Sequence, residues 1–86
     1  MIDSDAMNDA FAPLPRERLS DHLASRIGGS IERGQYRLGD RLPSIDAMAR
    51  AFGVAPASVR VALTKLEMLQ VVEVRHGLGV FVVKVG

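Results

Sequence analysis

Few side chains in this sequence of 86 residues could perform catalysis. Cysteine is absent, and the only two histidines, His22 and His76, fall in separate predicted elements. They form neither a nucleophile with an adjacent general base nor a set of metal ligands. So short a chain also leaves little material to enclose a substrate cleft of roughly several hundred Å³. We therefore expect a protein that binds a partner without a cofactor, and not an enzyme.

Another group of residues has the chemistry of a helix that reads DNA. At about 100° per residue, one face of a helix predicted to begin at Pro56 carries Ala57, Arg60, Val61, Thr64 and Met68. Lys65 flanks this face, and Ser58 lies near the start of the helix. A guanidinium can bond two acceptor atoms of guanine, and small apolar groups can touch a thymine methyl. This face is a candidate for base contact, with Lys65 as either a phosphate contact or a solubilising charge.

The sequence predicts three helices, of which the third carries these residues and the other two precede it. The first covers about residues 17–33, because apolar side chains recur every four positions at Leu19, Leu23, Ile27 and Ile31. Gly34 ends it. The pair Gly28-Gly29 weakens this helix by about 1 kcal/mol per glycine, and reflects either a close helix approach or simple tolerance. Tyr36 and Leu38 are expected to pack on this helix.

The second and third helices are separated by a very short turn. Ser44 is a candidate N-cap for the second helix, whose core residues are Ile45, Met48, Ala49 and Phe52. Gly53 ends that helix, and Pro56 suits the first position of the next one. The third helix continues to about Leu69, with its apolar face made of Val59, Ala62, Leu63 and Leu66. Ser44 also places the start of the second helix where its N–H groups could meet a phosphate.

The period of the pattern changes from helical to strand-like after residue 70. Two β-branched runs, 71–75 and 80–84, are separated by a loop with Gly77 and Gly79, which predicts a hairpin with Phe81 in the core. His76 lies at the tip and is either a phosphate or minor-groove contact or an incidental turn residue. Gly77 is expected to be structural, with close approach to the sugar–phosphate backbone as an added role.

Together these elements predict a mainly α domain with a small β-hairpin. Two short helices joined by a Gly-containing turn form a helix-turn-helix, and the following hairpin makes it the winged variety. The third helix fits the major groove of double-stranded DNA, and the wing can lie on the backbone or in the minor groove. Arg41 and Arg50 are either phosphate contacts or ordinary surface charges.

Composition divides the chain into a lead and one domain. Residues 1–15 show no sustained periodicity, contain Pro13 and Pro15, and are predicted to be a disordered lead. The domain covers residues 16–86. The net charge of +1 rises to +4 over residues 11–86 once the three aspartates of the first ten residues are removed. With no predicted membrane span or signal segment, we expect a cytoplasmic, nucleoid-associated protein without membrane contact.

The motifs resemble the GntR family of bacterial repressors over about residues 19–83. The matching segments are Leu42-Pro43-Ser44, Phe52-Gly53-Val54, Val59-Arg60 and the hairpin sequence VEVRHGLGVFV, which looks most like the FadR-type branch. The resemblance implies transcription regulation by a homodimer on a palindromic operator. In such regulators dimerisation comes mainly from an effector domain, so we expect this chain alone to be monomeric.

Several positions depart from the family pattern. Ile45 and Asp46 stand where the family usually has glutamate and often arginine, and Ala55 and Pro56 replace a hydroxyl residue and an arginine. Gln70 occupies a position that is commonly glycine. A different operator is one interpretation of these departures. The alternative is a winged-helix module with weakened or lost DNA binding that is used for protein–protein contact.

Overall fold

The computed structural model describes residues 16–85 of the chain. Three helices are followed by a hairpin, in the order α1 (Arg16–Glu32), α2 (Ile45–Phe52), α3 (Pro56–Met68), β1 (Val72–Arg75) and β2 (Gly79–Val82). The predicted winged helix-turn-helix is therefore the fold. The predicted disordered lead lies outside the described residues.

The ends of α2 are set by the two residues that the sequence identified. Ser44 Oγ accepts a hydrogen bond from the backbone N–H of Ala47 at 3.0 Å and so caps the start of α2. Gly53 ends the helix in the left-handed conformation, with φ of 70°, and its N–H donates to the carbonyls of Ala49 and Arg50. Ala55 then precedes α3 with no side-chain cap, while Pro56 begins the helix.

The core lies where the three helices meet the inner face of the hairpin. Its fully buried members include Ile31 of α1, Val59 and Leu63 of α3, Val72 of β1 and Val82 of β2. The apolar face predicted for α3 is confirmed, because Val59, Ala62, Leu63 and Leu66 are all buried. Packing of α1 and α2 against this one helix fixes its orientation, and its opposite face is left to solvent.

The predicted apolar stripe of α1 is wrong at its first residue. Leu19 is 37% exposed, whereas the neighbouring Ser20 is fully buried. A four-residue spacing drifts by about 40° per step, so Leu19 lies about 120° around the helix from Ile31. Ser20 lies within about 20° of both Ile27 and Ile31, and it therefore faces the core.

Two further expectations about the core need correction. Leu38 is 67% exposed and does not pack on α1, although Tyr36 is half-buried against the core as predicted. Phe81 is only half-buried, because β2 directs Val80 and Val82 inward and the alternation of the strand places Phe81 on the outer face.

The wing contains a third strand-like segment that precedes α2. β1 and β2 pair antiparallel, with Val72 opposite Val82 and Arg75 opposite Gly79. The chain before α2 adds to the free edge of β2, since Leu42 N–H donates to the Val80 carbonyl at 2.8 Å and Gly39 N–H donates to the Val82 carbonyl at 2.7 Å. This segment ties the wing to the start of α2, so that α2, α3 and the wing form one surface.

Both strands are shorter than predicted at the ends remote from the turn. The predicted strands are the runs 71–75 and 80–84, but the paired residues end at Val72 and Val82. Val83 and Lys84 instead both direct their N–H groups to the Val71 carbonyl, at 2.9 and 3.3 Å. The ladder ends there because the Val71 N–H, which would continue it, donates to the Leu66 carbonyl at the end of α3.

Candidate nucleic-acid interface

An open groove lies between α3 and the wing, and the start of α2 closes one end of it. On α3 it is lined by Arg60, Leu63, Thr64 and Glu67, and on the wing by residues 74–80. Arg41, Ser44 and Asp46 border it from the side of α2. The groove therefore brings together five of the residues that the sequence proposed as DNA contacts: Ser44, Arg60, Thr64, His76 and Gly77.

The exposed cations of the groove outnumber its available carboxylates. Arg60 and Arg41 are exposed and have no ion pair with any other described residue. Arg75 lies 4.7 Å from the centre of the Phe81 ring and pairs with Glu73 at 3.4 Å from Nε to Oε1. Of the two carboxylates in the lining, Glu67 already accepts a backbone hydrogen bond. Such a surface attracts an anion.

The outer face of α3 has the exposure that the sequence predicted. Ala57, Arg60 and Thr64 are exposed, and Ser58 is half-buried near the helix start. The Thr64 hydroxyl donates to the Arg60 carbonyl at 2.9 Å, so its oxygen keeps acceptor capacity while the hydroxyl hydrogen is engaged. Arg60 is an exposed residue of this face whose side-chain donors have no partner among the described residues.

Two glycines at the tip of the wing, Gly77 and Gly79, have positive φ angles. Gly77 adopts φ of 76° beside the exposed His76, with nothing within 4 Å of the position that a Cβ would take. At Gly79, with φ of 126°, a Cβ would lie 2.7 Å from Arg41 Nε. Gly79 thus lets the Arg41 side chain cross the strand into the groove.

Arg50 lies apart from the groove. It is exposed in the last turn of α2 and borders a second, shallower depression together with Asp46, Gly53 and Pro56. This depression includes Gly53 and Val54 of the turn between α2 and α3.

Lys65 is another predicted contact that does not line the groove, as are Ala57 and Ser58. Its ammonium group pairs with Asp21 of α1, on the side of α3 that faces α1. The side chain is about one-third exposed, at 32%. Its assignment as a phosphate contact stays a prediction, and it requires the side chain to leave Asp21.

Two residues with roles at the groove were missed by the sequence reasoning. Glu67 Oε2 accepts from the Val74 N–H at 3.0 Å and so joins α3 to the wing. Arg75 belongs to the groove beside His76. The sequence did contain a signal for Arg75. It directly precedes His76 and Gly77, so a ligand that contacts the wing tip would also lie beside this cation.

The described residues contain neither a metal-binding cluster nor a membrane-spanning helix. Within residues 16–85, no group of three or more His, Cys, Asp or Glu side chains is placed to hold a metal ion. None of the helices described is both long and apolar enough to cross a membrane.

Three helices, a two-stranded wing and a cationic groove between the last helix and the wing define a winged helix-turn-helix domain. The model of the family described as "Bacterial regulatory proteins, gntR family" matches residues 19–82. The chain therefore belongs to the GntR family, and the matched residues are its winged helix-turn-helix DNA-binding domain. The resemblance inferred from the motifs is confirmed, while the FadR-type branch stays a prediction.

Curated relatives include regulators of bacterial operons. The Uxu operon regulator of Haemophilus influenzae is 38% identical over 72 residues, which cover 79% of this chain and 27% of the relative. The Exu regulon transcriptional regulator of Escherichia coli is 41% identical over 66 residues, which cover 77% of this chain and 26% of the relative. This chain thus spans about a quarter of the length of these relatives.

A solved structure with the same fold contains DNA. BusR of S. agalactiae, in complex with its busAB-promotor DNA, matches with a TM-score of 0.70 and 29% identity, over 76% of this chain and 32% of that one. The possible transcriptional regulator YydK from Bacillus subtilis matches with a TM-score of 0.73 and 28% identity, over 79% of this chain and 30% of that one. Both likenesses agree with the fold predicted from the sequence.

Proposed function

We propose that this chain binds a specific sequence of double-stranded DNA as the reader domain of a bacterial transcriptional regulator. The observation that carries the proposal is the groove, whose lining includes Arg41, Arg60 and Arg75 and, among the described carboxylates, only Asp46 and Glu67. α3 enters the major groove, and the wing lies on the backbone or in the minor groove. The complex of the relative BusR with promoter DNA supports this arrangement.

Each predicted contact then has a defined part in binding. Arg60 reads a base edge, because it is the exposed cation of α3 within the groove. Thr64 and Ala57 offer small groups to the same bases, and Ser58 assists where the helix enters. Phosphates are contacted by the start of α2 after Ser44 and by the remaining predicted residues, Arg50, Lys65, His76 and Gly77.

The chain belongs to a cytoplasmic repressor that acts as a homodimer on a palindromic operator. Dimerisation by a further domain fits the short span of this chain on its relatives. The reader alone is monomeric. Among the described residues, its most exposed apolar side chains are Leu38 in the loop before α2, Met68 and Leu69 at the end of α3, and Leu78 in the turn of the wing, and they form no heptad. Sedimentation equilibrium at micromolar concentration should give the monomer mass, and a tight dimer would contradict this part of the proposal.

The decisive experiment is a salt titration of DNA binding. Duplexes selected from a random pool by the wild-type chain, and a scrambled duplex, are titrated with protein from about 50 to 300 mM salt. Because each phosphate neutralised by a cationic side chain adds about −0.9 to the slope of log K against log salt, Arg50 and Lys65 alone predict a slope of about −1.8. The selected duplex should bind more tightly than the scrambled one at every salt concentration. Salt-independent binding, or no selection, would reject the DNA function and favour protein–protein contact.

A further inference from the structure

Asp46 lies at the centre of the surface that is directed at DNA under the proposed function. It is exposed in the first turn of α2, borders the groove that holds Arg60, and also borders the depression that holds Arg50 and Pro56. It therefore stands on the ridge between the two. No hydrogen bond or ion pair joins its side chain to any other described residue.

A carboxylate on such a ridge has few favourable partners on DNA. Phosphate oxygens repel it, and the acceptor atoms of guanine and thymine offer it no donor. In the major groove, the remaining donors are the amino groups of cytosine and adenine. The arginines of the groove do not neutralise Asp46 internally, since none of them pairs with it. Burial of this charge against DNA is therefore costly at most base pairs.

We propose that Asp46 is a specificity-determining residue that accepts a hydrogen bond from the N4 amino group of a cytosine. Cytosine is favoured over adenine because the adenine amino group lies beside the acceptor N7, which repels a carboxylate. This inference rests on the proposed DNA function and adds a second base reader to Arg60. The two side chains border one groove from different helices, so they read separate base pairs of the same half-site.

The test is sequence selection with the wild-type chain and with substitutions at position 46. Binding sites are selected from a random duplex pool by the wild type, Asp46→Asn and Asp46→Arg, and are then sequenced. The wild type should enrich cytosine at one position by about tenfold, as expected for one good base contact. An asparagine side chain pairs best with adenine and an arginine side chain with guanine, so these variants should change the enriched base at that position alone.

A matched control separates base reading from a general charge effect. Glu32→Arg makes the same change of charge at an exposed residue of α1 that lines neither depression, and it should select the wild-type sites. If Asp46→Arg binds all sequences more tightly but selects the wild-type sites, Asp46 only repels phosphate and the inference is wrong. If the wild type selects no sequence at all, the proposed DNA function itself fails.

Discussion

The Glu67 carboxylate accepts a hydrogen bond from the backbone N–H of Val74, with 3.0 Å between Oε2 and the nitrogen. Glu67 belongs to the last turns of α3 and Val74 to β1. The bond thus fixes the wing relative to the helix that we assign to the major groove. The two partners are seven positions apart, so the bond spans the short connection from α3 to the wing.

Loss of this bond should loosen the wing. Glu67→Ala is expected to lower the free energy of unfolding by about 1 kcal/mol, the usual contribution of one hydrogen bond. Glu67→Gln removes the same charge but keeps an acceptor oxygen. It should therefore lower the free energy of unfolding by less than half as much as Glu67→Ala. Urea denaturation measures the stability, and binding to a selected duplex measures the function. Operator affinity should be several-fold lower for the alanine variant than for the glutamine variant. Equal values for the two would show that the bond contributes nothing.

Gln70 stores strain at the end of α3. It has φ of 61°, and the helix ends in a Schellman motif, with Val71 N–H donating to the Leu66 carbonyl and Gln70 N–H to the Glu67 carbonyl, both at 2.9 Å. A left-handed residue with a Cβ costs about 1–2 kcal/mol, which glycine avoids. Gln70→Gly should therefore raise the free energy of unfolding by about 1 kcal/mol. Gln70→Ala keeps the Cβ and should leave the urea midpoint nearly unchanged; an equal rise in both variants would refute the strain argument.

The sequence predicts this fold well where a single residue type decides the local conformation. Ser44, Gly53 and Pro56 each have one favoured position at a helix end, and the structure has them there. The wing strands were less well predicted. β2 carries apolar residues on both faces, so alternation alone could not show that Val82 points inward and Phe81 outward.

Contacts between elements account for what the sequence could not show of the site. Lys65 and Asp21 are 44 positions apart, and their pairing depends on how α1 crosses α3. Helix periodicity was enough to place Arg60 and Thr64 on the face of α3 opposite its core, where they line the groove. Which other cations line it, as Arg41 does beside Gly79, depends on the packing of three separate segments.

Substitution by alanine should have opposite effects on stability at Gly28 and at Gly79. At Gly28, an added Cβ would lie 3.6 Å from Leu66 Cδ2, an ordinary van der Waals distance, so the glycine is tolerated and is not required for helix approach. Gly28→Ala should stabilise the protein by about 1 kcal/mol through helix propensity. Gly79→Ala should destabilise it, because φ is 126° and the Cβ would lie 2.7 Å from Arg41 Nε. Thermal unfolding compares the two variants, and a lower melting temperature for Gly28→Ala would reveal a tighter α1–α3 contact than the structure has.

The start of α3 lacks a side-chain cap. Ala55 occupies the N-cap position in an extended conformation and forms no capping hydrogen bond. Ala55→Ser supplies an acceptor for the free N–H groups of the first turn and should stabilise the fold by about 0.5–2 kcal/mol. Ala51→Ser, at an exposed position inside α2, is the control and should give no gain. An unchanged urea midpoint for Ala55→Ser would mean that solvent already satisfies those N–H groups equally well.

Arg60 is expected to provide the main base contact of α3. Arg60 is an exposed residue of the groove and has no ion pair with another described residue. A guanidinium bonded to both O6 and N7 of guanine contributes about 1–3 kcal/mol of discrimination. Arg60→Ala should therefore weaken binding to the selected operator by about tenfold to a hundredfold and relax the preference at one base pair.

The matched control for Arg60 is Arg33→Ala, which removes the same group from an exposed position just after α1, outside the groove. It should change operator affinity less than twofold, because a charge distant from the DNA is largely screened at physiological salt. Both variants are titrated against the selected and the scrambled duplex at several salt concentrations. A specific contact lowers the affinity ratio of the two duplexes, whereas a phosphate contact lowers both affinities equally and shallows the salt slope by about one unit. An equal loss of affinity for the two duplexes would therefore show that Arg60 contacts a phosphate, and the prediction that it is the main base contact of α3 would be wrong.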